Sequence, residues 1–245
     1  MSQARLVLVA SILASLVVGG LAAAWRLDKS RTWQLFGRLV AQVDTRDSIV
    51  ALTFDDGPAP IAAEALLATL SARSVHATFF VTGRAVEEFP AIAVHLVNAG
   101  HELGNHSYSH ERMLLMRPQR IRHEIERTDS LIRAVGQVGP IYFRPPYGDK
   151  LVGLPWFLAR TDRTTVMWSI EPDSYADVAA NKEQIVRFVL SHVRPGSIII
   201  LHPWYPSRRT SLAAVGPMID SLQAHGYRVA SVREVLRRVH AGDAF

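Results

Sequence analysis

Ser48-Ile49-Val50-Ala51-Leu52-Thr53-Phe54-Asp55-Asp56-Gly57-Pro58 is an apolar run that stops at two adjacent carboxylates and a Gly-Pro turn. Four consecutive apolar residues before polar ones and a breaker predict a buried strand with its chemistry at the C-terminal end. The pattern repeats along the chain. Strand-like runs occupy 48–53, 77–81, 101–104, 141–143, 164–168, 197–201 and 227–230. Longer amphipathic stretches between them, at 61–72, 85–99, 118–135, 182–193 and 211–225, predict helices. Gly100 and Gly226 follow two of these stretches as C-terminal stops. Strands alternating with helices predict an α/β domain with mostly parallel strands, either a barrel or a doubly wound layer. In both architectures functional residues collect where the strands end.

The strand ends do carry polar residues. Asp55 and Asp56 repel each other unless one holds a cation and the other is held by an arginine or acts as a base; the plainer reading is a solvated Asp-Gly turn. After the run at 101–104 comes Gly104-Asn105-His106-Ser107-Tyr108-Ser109-His110. Histidines at i and i+4 reach one ion if the segment makes a helical turn, and with a carboxylate they form a facial set that leaves positions for water and substrate. Phe143-Arg144-Pro145-Pro146-Tyr147-Gly148 fixes a guanidinium beside two prolines, suited to orienting a carboxylate or to a structural ion pair. His202, delivered by the run at 197–201, suits a general acid or a strand cap. Trp168, Trp204 and Tyr108 suit either a sugar platform or the core.

Composition limits these readings. The chain has 245 residues, 49% of them hydrophobic, and a net charge of +5. That is enough for one substantial core. The basic residues are dispersed, without the basic and aromatic stretches that track nucleic acid, so no nucleic-acid partner is expected. There are no cysteines, which leaves histidine and carboxylate as the metal donors.

At the N-terminus an uncharged apolar run from Leu6 to Trp25 ends at Arg26. It is about long enough to cross a bilayer. An uncleaved anchor is expected, with Ala22-Ala23-Ala24 as the place for cleavage if the segment is instead a signal. The expected organisation is a membrane anchor or signal over 1–25, a spacer over 26–46 and an exported catalytic domain over 47–245.

Taken in order, the segments TFDDGP, HSYSH, FRPPYG, WSIEPDSY and ILHPW resemble the polysaccharide deacetylase family with the NodB homology domain, carbohydrate esterase family four. The resemblance covers roughly 48–236. It implies a distorted, incomplete (β/α) barrel with one divalent metal, Zn2+ in most cases and Co2+ or Ni2+ in others. It casts Asp56, His106 and His110 as metal ligands, Asp55 as catalytic base and Arg144 as its tether. It also casts the Tyr147 backbone N–H as an oxyanion donor, His202 as the acid for the leaving amine, and Leu201 as a wall of the acetyl pocket. Trp204 is expected beside the substrate.

The segment from Trp168 to Tyr175 departs from the family's Trp-x-x-Asp-x-x-Asp-Trp pattern, with Asp173 one residue out of register. Asp173 is expected to orient His202, with Glu171 as the alternative. The implied activity is removal of N-acetyl groups from an extracytoplasmic polysaccharide containing N-acetylglucosamine: peptidoglycan, a chitin-like polymer or an exopolysaccharide. Esterase action on O-acetylated xylan, deformylation of a lipid-linked sugar, and a non-catalytic carbohydrate-binding relic are the alternatives.

Overall fold

The computed structural model describes residues 3–238; residues 1–2 of the expected N-terminal segment and 239–245 of the expected catalytic domain lie outside them. The strands are β1 (Leu39–Val40), β2 (Ile49–Asp55), β3 (Thr78–Val81), β4 (Glu102–Asn105), β5 (Thr165–Val166), β6 (Ile198–Leu201) and β7 (Arg228–Ala230). The helices are α1 (Gln3–Lys29), α2 (Pro60–Ser71), α3 (Gly83–Glu88), α4 (Pro90–Asn98) and α5 (Pro118–Ala134), then α6 (Gly153–Arg160), α7 (Ala176–Ala179), α8 (Lys182–His192), α9 (Arg209–Ala224) and α10 (Val232–Leu236).

β4, β3, β2 and β6 lie side by side, all parallel, and β7 also pairs with β2. Single bridges carry the curve onward, from Asn105 to Phe143 and from Phe143 to Thr165. β5 then pairs with β1, and a bridge from Gln42 to Ser197 returns to the β6 side. A ring held in places by single bridges is a distorted, incomplete (β/α) barrel. The run at 141–143 contributes only Phe143, because Pro145 and Pro146 offer no N–H to continue a ladder.

Alternation along β2 divides the core. Val50, Leu52 and Phe54 pack outward with Leu66, Phe79, Leu201 and Met218 beneath the helices, and Ile49 and Ala51 pack inward with Phe80, Val166 and Ile200. Full burial of each large apolar side chain contributes roughly 1.5–3 kcal/mol. The same alternation places Thr53 and Asp55 with the inward set, so Asp55 arrives at the barrel mouth.

Two expectations need correction. The single helix expected over 85–99 is two, because Pro90 follows Phe89 (φ −126°, ψ 55°) and starts α4 with no N–H to continue α3. The expected spacer at 26–46 is in part domain: β1 pairs with β5, and Val40, Ala41 and Val43 are buried. Within α1 the stretch Ser11–Lys29 is long and apolar enough to cross a membrane. Its Leu13, Leu16, Val17, Val18 and Leu21 are exposed, whereas Asp28 near its end is buried in the domain.

Candidate active site

Asp55 ends β2 inside the barrel mouth, where Arg144 meets it. Arg144 is completely buried. Its Nη1 donates to Asp55 Oδ1 at 2.6 Å and to Thr53 Oγ1 at 2.8 Å. Its Nε and Nη2 donate to the carbonyls of Val166 and Met167, both at 3.0 Å. A guanidinium spread over four acceptors is fixed in the plane that presents it to the carboxylate. Asp55 is thereby tethered through one oxygen; Oδ2 lies 3.6 Å from His106 Nε2.

Asp56 turns out of the strand with φ 79°. The turn rests on Trp204, since a Cβ on Gly57 would come within 2.2 Å of the indole. His106 and His110 converge on Asp56, but not through a helical turn: the segment is a loop with Ser107 at φ 64° and His110 at φ 60°. Their Nε2 atoms lie 3.3 and 3.0 Å from Asp56 Oδ1. Angles for a hydrogen bond are not met, and Oδ1 is buried without a donor.

The tautomer of His106 explains why. Its Nδ1 lies 2.7 Å from the Arg144 carbonyl oxygen, so Nδ1–H donates there, and in the neutral ring Nε2 presents a lone pair to Asp56. Lone pairs facing one another across 3.3 Å are a donor set for a cation. The three ligand atoms lie within 4.8 Å of one another, and one carboxylate with two imidazoles suits a divalent metal with positions left open. Asp56 Oδ2 accepts from Tyr205 Oη at 3.1 Å.

Across the cleft, His202 stands one residue past β6. Asp173 is the acid that touches it: Oδ2 accepts from the His202 N–H at 2.8 Å and Oδ1 lies 3.2 Å from Nδ1. Glu171 instead takes Arg31, Trp168 Nε1 and Ser174 Oγ. Burial would lower the His202 imidazole, but Asp173, and then Asp55 and Asp56, raise it to about 9. At neutral pH it therefore carries a proton on each nitrogen, with Nδ1 committed to Asp173 and Nε2 remaining.

Tyr147 sits at φ 58°, ψ 8° in the tight turn after the two prolines. Its backbone N–H has no acceptor among the described residues. Its ring leans on His110, with centroids 4.8 Å apart.

Asp55, Asp56, His106, His110, Tyr147 and His202 line one cleft of about 660 Å³, with Arg144 and Asp173 buried behind it. Two residues expected at the substrate do not line it. Leu201 is buried under the helices, because neighbouring residues of β6 face opposite ways; Ile200 is the one that lines the cleft. Trp204 is 3% exposed and packs against Phe79, so it supports the Asp56 turn and offers no surface to a substrate. Of the other aromatics, Trp168 lines the cleft and Tyr108 lies outside it, bonded to Glu87. The cleft also includes Lys29, Arg31, Arg112, Tyr205 and Arg208, which no strand-end motif marks.

The polysaccharide deacetylase family profile matches residues 42–164. The peptidoglycan-N-acetylmuramic acid deacetylase PdaC of Bacillus subtilis is 32% identical over 196 residues, 79% of this chain and 40% of the relative's own length. A chitooligosaccharide deacetylase of Bradyrhizobium is 33% identical over 192 residues, 74% of this chain and 87% of the relative. Among solved structures, the Bc1960 peptidoglycan N-acetylglucosamine deacetylase matches with a TM-score of 0.76 at 29% identity, covering 80% of this chain and 92% of that one.

Proposed function

This chain belongs to the polysaccharide deacetylase family, and from that premise we propose that it is a metal-dependent hydrolase removing N-acetyl groups from an N-acetylglucosamine-containing glycan outside the cytoplasmic membrane. The observation that carries the reading is the split between two neighbouring acids. Asp56 faces two imidazoles with an oxygen that has no donor, and Asp55 is locked to a buried arginine.

Asp56, His106 and His110 would hold the metal, with Zn2+ the first candidate and Co2+ or Ni2+ also suited to the donor set. Such an ion supplies Lewis-acid polarisation of an acyl carbonyl and eases deprotonation of water. The chain's own groups do the rest. Asp55 takes the proton of the attacking water through the oxygen that Arg144 does not hold. The Tyr147 N–H, free of any intramolecular partner, donates to the carbonyl oxygen as charge develops on it. His202 Nε2–H protonates the departing amine, with Asp173 fixing the ring and favouring the charged form. Ile200 offers an apolar wall for the acetyl methyl group. The catalytic domain, which begins with β1, works outside the membrane, held by the segment 1–25, a reading that the apolar stretch Ser11–Lys29 supports.

Acetate release from N-acetylglucosamine oligomers and from peptidoglycan, with and without chelator, tests the proposal. Release abolished by chelator and restored by Zn2+ is the expected result. A protein that binds glycan and releases no acetate would be a carbohydrate-binding relic.

A further inference from the structure

Four cations stand around the cleft: Lys29, Arg31, Arg112 and Arg208. Lys29 Nζ and Arg112 Nη1 bind opposite oxygens of the same carboxylate, Asp149, which is buried. Arg31 pairs with Glu171 at 2.6 Å. Arg208 donates to an uncharged group, the Asp173 carbonyl. Asp55 cancels with Arg144 and Asp173 with His202, while Asp28 lies 3.7 Å from Lys29 Nζ and the buried Lys150 ammonium donates to the Asp28 and Ser30 carbonyls. Counting Lys150, five cations face three carboxylates, Asp28, Asp149 and Glu171, and the cleft mouth with the lysine behind it keeps about two positive charges unmatched. Asp56 adds a negative charge deeper in, which the metal it would hold more than offsets.

Arg31 and Arg112 are also held in place by aromatic rings. The Arg31 guanidinium lies 4.9 Å from the Trp168 ring centroid and that of Arg112 lies 4.2 Å from the half-exposed Tyr147 ring. Stacking fixes a guanidinium plane and leaves its edge donors for a planar or tetrahedral anion. Lys29 and Arg31 precede the matched residues 42–164, so this charge is added to the domain by the end of α1 and the segment just after it.

We propose that the cleft mouth, through Arg31 and Arg112 with Lys29 beside them, binds an anionic substituent, carboxylate or phosphate, on the glycan whose acyl group is removed. The inference rests on the deacetylase reading and narrows its substrate to an acidic glycan. Two part-exposed charges favour such a ligand by about tenfold at low salt.

The test uses the full chain in detergent micelles and three tetrasaccharides: neutral N-acetylglucosamine, N-acetylglucosamine alternating with N-acetylmuramic acid, and the neutral oligomer with a reducing-end phosphate. Calorimetric affinities and kcat/KM are measured for each. The expected result is a preference of about tenfold for at least one acidic oligomer. It should shrink to within about twofold in Arg31→Gln/Arg112→Gln and fade in about 0.5 M NaCl. The two acidic oligomers tell a carboxylate site from a phosphate site. Equal handling of all three by the wild type, or a preference that survives the double substitution, overturns the inference. If no oligomer is hydrolysed, the deacetylase reading falls, and the affinities of the same three oligomers still decide whether the mouth selects anions.

Discussion

On the Arg144 side of the cleft floor a carboxylate is closed in by donors; on the imidazole side, one residue later, its neighbour meets lone pairs. Asp55 has a guanidinium at 2.6 Å whose remaining bonds run to two backbone carbonyls and the Thr53 hydroxyl, so its charge is neutralised within the protein. Asp56 Oδ1 has two imidazole nitrogens at 3.0 and 3.3 Å and no donor. The first environment is complete, and the second lacks a cation. Adjacent residues of one type thus acquire different chemistry because strand alternation points one inward and a turn at φ 79° swings the other toward the histidines.

The sharpest way to break that comparison is Asp55→Asn, which keeps the size and one hydrogen-bond acceptor and removes the base. Activity should fall by about a thousandfold; a variant close to wild type would move the base elsewhere. Arg144→Ala probes the same side through stability. It leaves Asp55 buried and unpaired, with an expected cost of about 3–5 kcal/mol in denaturant unfolding, and an unchanged midpoint would mean that the tether contributes nothing.

Trp204→Ala tests the support beneath the Asp56 turn. A buried indole removed from contact with Phe79 should cost a similar 3–5 kcal/mol or somewhat less. KM for a glycan oligomer should change little in the folded fraction; a large rise in KM with no loss of stability would return Trp204 to the substrate surface. The smallest effect expected is a shift in pH profile. His202 acts in its protonated form, so activity should fall as pH rises through about 9. Asp173→Asn removes the charge that raises this value, and the alkaline limb should move to lower pH. A limb that stays in place would detach Asp173 from the proton.

Much of this was legible in the sequence, and the omissions have physical causes. Short apolar runs ending in polar motifs mark β2 and β6, the histidine segment follows β4, and the acids and imidazoles at those ends do come together. The spacing of His106 and His110 was visible, but the route was not, because two positive φ values in a loop bring the rings together where a helical turn was expected. Ile200 and Leu201 were confused because β6 is buried on both faces, which erases the polar alternation that would tell inward from outward. Trp204 beside His202 gave no local sign that it fills the space under Gly57. Lys29 and Arg31 reach the site through contacts spanning 120 and 140 residues, and no periodicity marks a pairing at that distance.

Calorimetric titration of chelator-stripped protein with Zn2+ tests the division between the two acids most directly. Wild type and Asp55→Asn are expected to take up one equivalent, and His106→Ala to lose tight binding. Unchanged binding in His106→Ala, or none in Asp55→Asn, would contradict the assignment of Asp56 to the metal and Asp55 to the proton.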